Sequence, residues 1–274
     1  MKLFLRICTY GVVAFLLAAI ASVAVRGLHF LNGSLLVNPP SWIAPEAGLY
    51  SALWGSVWVV STTLVIAVPM GVLTAISLEE FIGPDSRIGR TLNFWILNLS
   101  GVPSIVYGIL GLTLFVRGFD MGRTIIAAAL TLALMVWPSV CVATQESLKA
   151  VSQDLRDASL ALGISRVRTT FQIVLPEALE GILTSTLLII ARILGESAPL
   201  ILIGAMTYVR SAPTHFSDAY TVLPLQIYSW ISRPQEAFQQ KAASGIVVML
   251  TFLALFQIAA LVLRYRSQRR RGLI

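Results

Sequence analysis

An all-α, polytopic membrane protein with six helical spans is predicted by three features of this sequence. Of its 274 residues, 57% are hydrophobic and only 12% charged, where a soluble domain carries about 25% charged residues. The apolar residues fall in long runs, and a helix of about 20 such residues crosses a bilayer core of about 30 Å. The runs do not alternate apolar with polar positions, which excludes a closed transmembrane barrel. The net charge of +7 is carried between the runs rather than along one face. It therefore reads as membrane topology and not as nucleic-acid binding.

Lys2 and Arg6 precede an uncharged run from Ile7 to Val25. The start resembles a secretory signal peptide, but the run exceeds an apolar signal region of about 7–15 residues. It reads as span 1, retained, with cleavage after Ala21 or Ala24 the lesser alternative. Arg26 to Gly48 is an outer loop rich in turn residues, Asn38-Pro39-Pro40 and Pro45. Residues 1–48 thus form an N-terminal segment, 49–263 a core of five spans, and 264–274 a basic tail.

Within the core, span 2 covers about Leu49 to Leu78, and Pro69-Met70-Gly71 is expected to kink or divide it. Glu79 to Asn93 is short and polar. Span 3, about Phe94 to Val116, carries a second expected break at Gly101-Val102-Pro103-Ser104. Arg117 to Arg123 is a tight outer turn, and span 4 follows from about Thr124 to Thr144. A polar module, Gln145 to Leu175, separates it from span 5, about Pro176 to Gly204. Ala205 to Lys241 is the longest outer loop, and span 6 runs from about Ala242 to Leu263.

Basic residues concentrate on one side of this arrangement: Lys2, Arg6, Arg87, Arg90, Lys149, Arg156, Arg166, Arg168 and the tail from Arg264 to Arg271. Arg26, Arg117, Arg123, Arg210, Arg233 and Lys241 fall on the other. The positive-inside rule then puts both termini and the polar module in the cytoplasm. The tail is expected to lie against anionic lipid. Tyr220, Tyr228 and Trp230 in the long outer loop read as an interfacial aromatic belt. Cys8 and Cys141 lie near inner span ends and read as small buried apolar residues, with neither a disulfide nor a metal spacing.

The polar module has its own logic. Leu155, Ala158, Ser159 and Leu162 recur at helical spacing, and two of the four are small. Gly163 suits the left-handed position that ends a helix. Ser165 is placed to cap a second one. Leu175-Pro176 is expected to stop that run, with Pro176 opening span 5.

Asp157-Ala158-Ser159, then Gly163, then Ile173, Leu175 and Pro176 resemble the coupling-helix signature of binding-protein-dependent ABC importer permeases. The family pattern is Glu-Ala-Ala, three residues, Gly, nine residues, Ile-x-Leu-Pro. Asp for Glu and Ser for the second Ala are the departures. Ser51 to Ser56, Val68 to Gly71, Ser77 to Phe81, Gly101 to Gly108, Gly195 to Leu200 and Thr221 to Tyr228 look like the core of phosphate-importer permeases, the last run like their second permease subunit. Sulfate, molybdate and tungstate permeases share the general plan and remain alternatives.

The resemblance implies a type I ABC importer permease fold in a bacterial inner membrane. It also implies docking of a cytoplasmic ATPase dimer on Asp157, Ala158, Ser159 and Gly163. The further partners are a second permease subunit and a periplasmic phosphate-binding protein. ATP and Mg would be held by the ATPase and not by this chain. Movement would be alternating access, with Pro69, Pro103 and Pro199 as the helix breaks.

Arg192 and Glu196 lie inside span 5, four residues apart, and are expected to share a helix face and pair. An ionisable residue in a membrane span costs about 2.5–3.5 kcal/mol at its centre, so it marks a path or a partner. Arg192, Glu196 and Ser197 are the candidate lining of a translocation path, a guanidinium suiting a tetrahedral oxyanion. A plain ion pair that fixes helix packing is the alternative. Ser197, Ser104 and Tyr107 would add polar contacts along the path, each as well explained by a helix–helix hydrogen bond.

No Lys follows a Gly anywhere in the chain, so no phosphate-cradling loop ending in Gly-Lys-Ser/Thr is present. Nor is there a His-Glu-x-x-His or a credible Ser/His/Asp set. An intramembrane enzyme therefore lacks its chemistry. A non-transporting structural or regulatory membrane subunit stands as the rival of another class; it would leave Arg192 and Glu196 dispensable.

Overall fold

The computed structural model describes residues 2–205 and 208–270. In chain order its helices are α1 (Lys2–His29), α2 (Gly33–Val37), α3 (Tyr50–Ile76), α4 (Arg87–Ser100), α5 (Ser104–Gly111), α6 (Ile125–Lys149), α7 (Gln153–Ala161), α8 (Arg166–Thr169), α9 (Leu175–Leu194), α10 (Ala198–Ile203), α11 (Leu223–Ile231) and α12 (Glu236–Arg270). Wider π-helical turns extend α3 (Ser77–Ile82) and α5 (Leu112–Gly118) and join α8 to α9 (Thr170–Val174). The end of the expected basic tail, from Arg271, lies outside the described residues, as do Met206 and Thr207 of the outer segment.

Among the described residues, five stretches are long and apolar enough to cross a membrane: Cys8–His29, Tyr50–Ile82, Ile125–Lys149, Arg166–Leu194 and Glu236–Ile258. A sixth results if Arg87–Ser100 and Ser104–Gly118, bent by 97° at their junction, cross together. This is the all-helical architecture expected, with span 3 far more broken than a simple crossing. Pro103 is the N-cap of α5; its fixed φ and missing N–H suit it to a helix start and not to an interior.

The expected division of the helix at Pro69 does not occur. Helix α3 runs through it unbroken. Next to Pro69, a Cβ on Gly71 would meet Val140 of α6 at 2.6 Å, so the two backbones hold each other in place. Near Pro199 the break does form, but at Gly195–Ser197, with Pro199 inside the first turn of α10.

Leu175-Pro176 does not stop the preceding run either. The Leu175 N–H reaches back five residues to the Thr170 carbonyl. This wider turn absorbs the proline, so Arg166 to Leu194 forms one continuous helical stretch.

The chain divides into two compact units. One comprises Met1–Ser56, Met206–Thr214 and Tyr220–Leu255; the other comprises Val57–Ala205, His215–Ala219 and Phe256–Ile274. In the first, Leu35, Leu49, Ala52, Leu223, Phe238 and Ala242 pack around Trp230. Helix α1 is tied in at its C-terminal end, where Ser244 Oγ donates to the Gly27 carbonyl at 2.8 Å. Most of its other described side chains, such as Phe15 and Leu17, are exposed. An aromatic belt was the sequence expectation for the outer segment. Instead α11 folds into the core, burying Tyr220 and Trp230 and leaving only Tyr228 exposed.

Two outer cations are also used internally. Arg233 lies over the rings of Trp42 and Phe238, at 4.8 and 4.2 Å from their centroids. Lys241 donates to the carbonyls of Pro45 and Ala47.

In the second unit α6 is the central helix, buried along most of its length, including Cys141. Small residues set its approach distances: a Cβ on Gly111 would clash with Thr131 of α6. Gly108 of α5 plays the same part against α10, where a Cβ would come within 2.7 Å of Pro199 Cα.

Candidate functional site

The polar module is a compact helix–turn–helix. Ser152 opens α7, its hydroxyl accepting from the Asp154 N–H at 3.2 Å. The far end closes with Gly163 at φ +79. There the Gly163 N–H donates to the Leu160 carbonyl at 2.9 Å and Ile164 N–H to Ser159 at 3.3 Å, the two bonds of a Schellman cap. Ser165 sits at the N-cap of α8, but its side chain makes no cap bond; only its carbonyl serves, accepting from Thr169 N–H at 2.9 Å.

The four residues expected on one docking face do not share it. Ser159 is 4% exposed, and its hydroxyl lies 2.8 Å from that of Thr169. It faces inward and fastens α7 to α8, because a small polar group can pair there where an apolar one would leave Thr169 unsatisfied. Asp157, Ala158, Leu155 and Leu162 are exposed, Leu162 at 81%. Val167 of α8 is exposed beside them. Asp157 accepts from Gln153 Nε2 at 3.2 Å, a bond on the surface that a partner's cation can replace.

Sequence reasoning missed Arg156, which it treated only as an inside charge. Its guanidinium binds Glu80 Oε1 through Nη2 at 2.9 Å and Nε at 3.3 Å. It also donates to the carbonyls of Leu148 at 2.8 Å and Val151 at 2.7 Å, where α6 ends. Close by, Lys149 pairs with Glu146 at 3.1 Å and with Glu79 at 3.7 Å. The available signal was the adjacent pair Glu79-Glu80 at a span end facing a basic module.

A groove of about 1010 Å³ opens between the end of α6, α7 and α9. Val151, Leu155, Ala158, Gly181, Ser185 and Leu188 are among its lining residues. The α9 members continue at helical spacing toward Arg192 in the last turn of α9.

Arg192 and Glu196 do not pair. Among the described residues the ion pairs are those of Lys149 and Arg156. The helix ends between the two: Gly195 N–H turns back to Arg192 and Glu196 N–H to Ile193, at 3.1 and 3.0 Å. The four-residue spacing therefore no longer places them on one face. Arg192 is exposed and Glu196 half-buried. Ser197 is the N-cap residue of α10 but makes no side-chain cap bond. Tyr107 is 6% exposed and gives its hydroxyl to the Leu99 carbonyl at 2.7 Å. It bridges the α4–α5 bend and is a structural residue.

Residues 67–272 match the family model of the binding-protein-dependent transport system inner membrane component, and the chain belongs to that family. It is a multi-pass inner-membrane permease subunit of an ABC importer. Its family works with an ATPase and a binding protein, and the subunit itself carries no ATPase activity.

Its relatives narrow the likeness to PstA-like permeases. It is 32% identical over 276 residues to phosphate transport system permease protein PstA 1 of Mycobacterium tuberculosis, covering 97% of this chain and 88% of the relative. PstA of Mycobacterium leprae is 32% identical over 270 residues, covering 94% and 87%. The probable PstA of Methanocaldococcus jannaschii is 30% identical over 236 residues, covering 84% and 78%. In fold, the chain is similar to a chain of the MetNI methionine ABC transporter in an inward facing conformation. The TM-score is 0.62 at 19% identity, covering 80% of this chain and 94% of that one.

Proposed function

We infer that this chain is the PstA-type permease of a phosphate importer, moving inorganic phosphate into the cytoplasm. The observation that carries the reading is the 32% identity to PstA 1 over 97% of the chain. In this reading a second permease chain completes the path and a periplasmic phosphate-binding protein delivers the anion. A cytoplasmic ATPase dimer, which holds ATP and Mg, docks on the exposed part of the module: Asp157, Ala158 and the turn at Gly163. Both termini are cytoplasmic, as the distribution of basic residues supports.

Arg192 is the residue assigned to the passing anion, with Glu196 and Ser197 beside it at the α9–α10 break. An exposed guanidinium in a membrane helix needs either water or an anion, and Arg192 makes no ion pair among the described residues. A last-turn position also favours a cation, through the helix dipole. Glu196, half-buried nearby, keeps the local field from holding the anion too tightly, since conduction requires release. ATP binding closes the ATPase dimer and moves the module; the spans respond as rigid bodies, with the bends at Pro103 and before Pro199 as hinges.

ATP-driven uptake of radiolabelled phosphate tests the reading. Wild-type complex should accumulate phosphate, and Arg192→Ala complex should not while remaining assembled. Equal uptake by both would remove Arg192 from the path.

A further inference from the structure

We propose that Glu80 and Arg156 form a transmission strut that carries movement of α7 into the ends of α3 and α6. Three observations converge on it. First, the pair is enclosed: the side chains of Arg156 and Glu80 are 14% and 8% exposed. A surface pair is worth about 0–1 kcal/mol, but breaking an enclosed one by removing a partner leaves an uncompensated charge and is strongly destabilising. Such a link holds its length under load.

Second, one planar group touches three elements. Arg156 belongs to α7. It reaches the π-helical end of α3 through Glu80, the last turn of α6 through the Leu148 carbonyl, and the link after α6 through the Val151 carbonyl. The Leu148 carbonyl accepts the Val151 N–H of the closing turn at 3.2 Å and keeps a second lone pair for Arg156. The guanidinium's fixed fork meets both carbonyls together with the carboxylate. A lysine, as a point charge on a flexible stem, would not fix the same geometry.

Third, the module's other attachment is of a different kind. Ser159 binds Thr169 at 2.8 Å, and from there the backbone runs through the π turn Thr170–Val174 into α9. Movement of α7 therefore reaches α9 along the chain itself. It reaches α6 along the chain too, through the three residues 150–152, but α3 across side chains. Both routes enter a span at a π-helical turn, Thr170–Val174 for α9 and Ser77–Ile82 for α3, where local geometry is easier to change than in a regular helix. Without the strut, α9 would answer the module while α3 lagged behind.

The proposal rests on the reading of the module as the ATPase docking site. Its test separates the two. Complete importer, with ATPase, second permease and phosphate-binding protein, is reconstituted in vesicles. Phosphate moved per ATP hydrolysed is measured beside ATPase retention for wild type, Glu80→Gln, Arg156→Gln and Arg156→Lys. In Glu80→Gln and Arg156→Gln, ATPase should be retained at the wild-type ratio, with phosphate moved per ATP falling about tenfold. Arg156→Lys should fall between these and wild type.

An unchanged ratio in both Gln variants overturns the strut. So does a loss of transport matched by a loss of bound ATPase, which would mark the pair as support for docking alone. Should Arg156→Gln fail to assemble, Glu80→Gln decides, since it is isosteric and leaves the bonds to α6 in place. A wild-type complex that binds no ATPase through this chain would instead refute the docking reading, and one that moves another oxyanion would refute only the choice of phosphate.

Discussion

The polar module and the α9–α10 break are built in opposite ways. In the module, key polar groups are used within the chain: Ser152 caps α7, Ser159 meets Thr169, Gly163 closes the helix and Arg156 binds four oxygen acceptors. Exposed on it are apolar side chains, Leu155, Leu160, Leu162 and Val167 among them, with Ala158 and Asp157 beside them. At the α9–α10 break, Arg192 and Glu196 are left without an ion pair. A pre-formed surface suits docking, because little has to be ordered on contact. An unpaired guanidinium in a membrane helix suits something that comes and goes, or a partner chain.

The sharpest way to break this contrast is Arg192→Ala. If the exposed guanidinium serves the anion, uptake should fall at least about 30-fold, the order of losing one charged contact worth about 2 kcal/mol. Co-purification of the partner subunits should be unchanged. Loss of assembly in place of flux would turn Arg192 into another satisfied structural charge and erase the difference between the sites.

Gly163→Leu comes next. At φ +79 a side chain with a Cβ is strained by about 1–2 kcal/mol, and open space around the residue leaves this strain as the chief effect. ATPase retention should drop about five- to tenfold, measured by pull-down. Gly163→Asn, which tolerates the left-handed region, should recover most of it. Equal defects in both would mean that the bare backbone surface, and not the turn, is what the partner reads.

Ser159→Ala sharpens the account from inside. It removes the Thr169 hydroxyl's bond to α7 and should lower stability by about 1 kcal/mol, seen as a lower thermal midpoint of the purified complex. ATPase retention should fall less than about threefold. A larger loss would return Ser159 to the docking face. The smallest effect belongs to Pro69→Ala: α3 is already continuous there, so uptake should stay within about twofold of wild type. A strong uptake defect would show that a bend at Pro69 is used in the cycle.

Long apolar runs are one-dimensional signals, so span positions were readable from the chain. So was Gly163, because a left-handed turn after a helix has few other solutions. The break at Pro103 was legible, yet the continuity at Pro69 was not, nor the close approach of Gly71 to Val140, a contact between residues far apart in sequence. The same limit hid the roles of Ser159 and Arg156. Their spacing fits an exposed helix face, but their partners, Thr169 and Glu80, are fixed only when the module folds back on the spans. Spacing also misled at Arg192 and Glu196, since the helix ends between them.

Vesicles containing the complete importer, loaded with ATP and offered radiolabelled phosphate against excess sulfate or molybdate, test the central claim most directly. The account predicts ATP-dependent phosphate accumulation that unlabelled phosphate suppresses and sulfate and molybdate do not. Accumulation of sulfate or molybdate in its place, or ATP hydrolysis with no oxyanion moved, would contradict it.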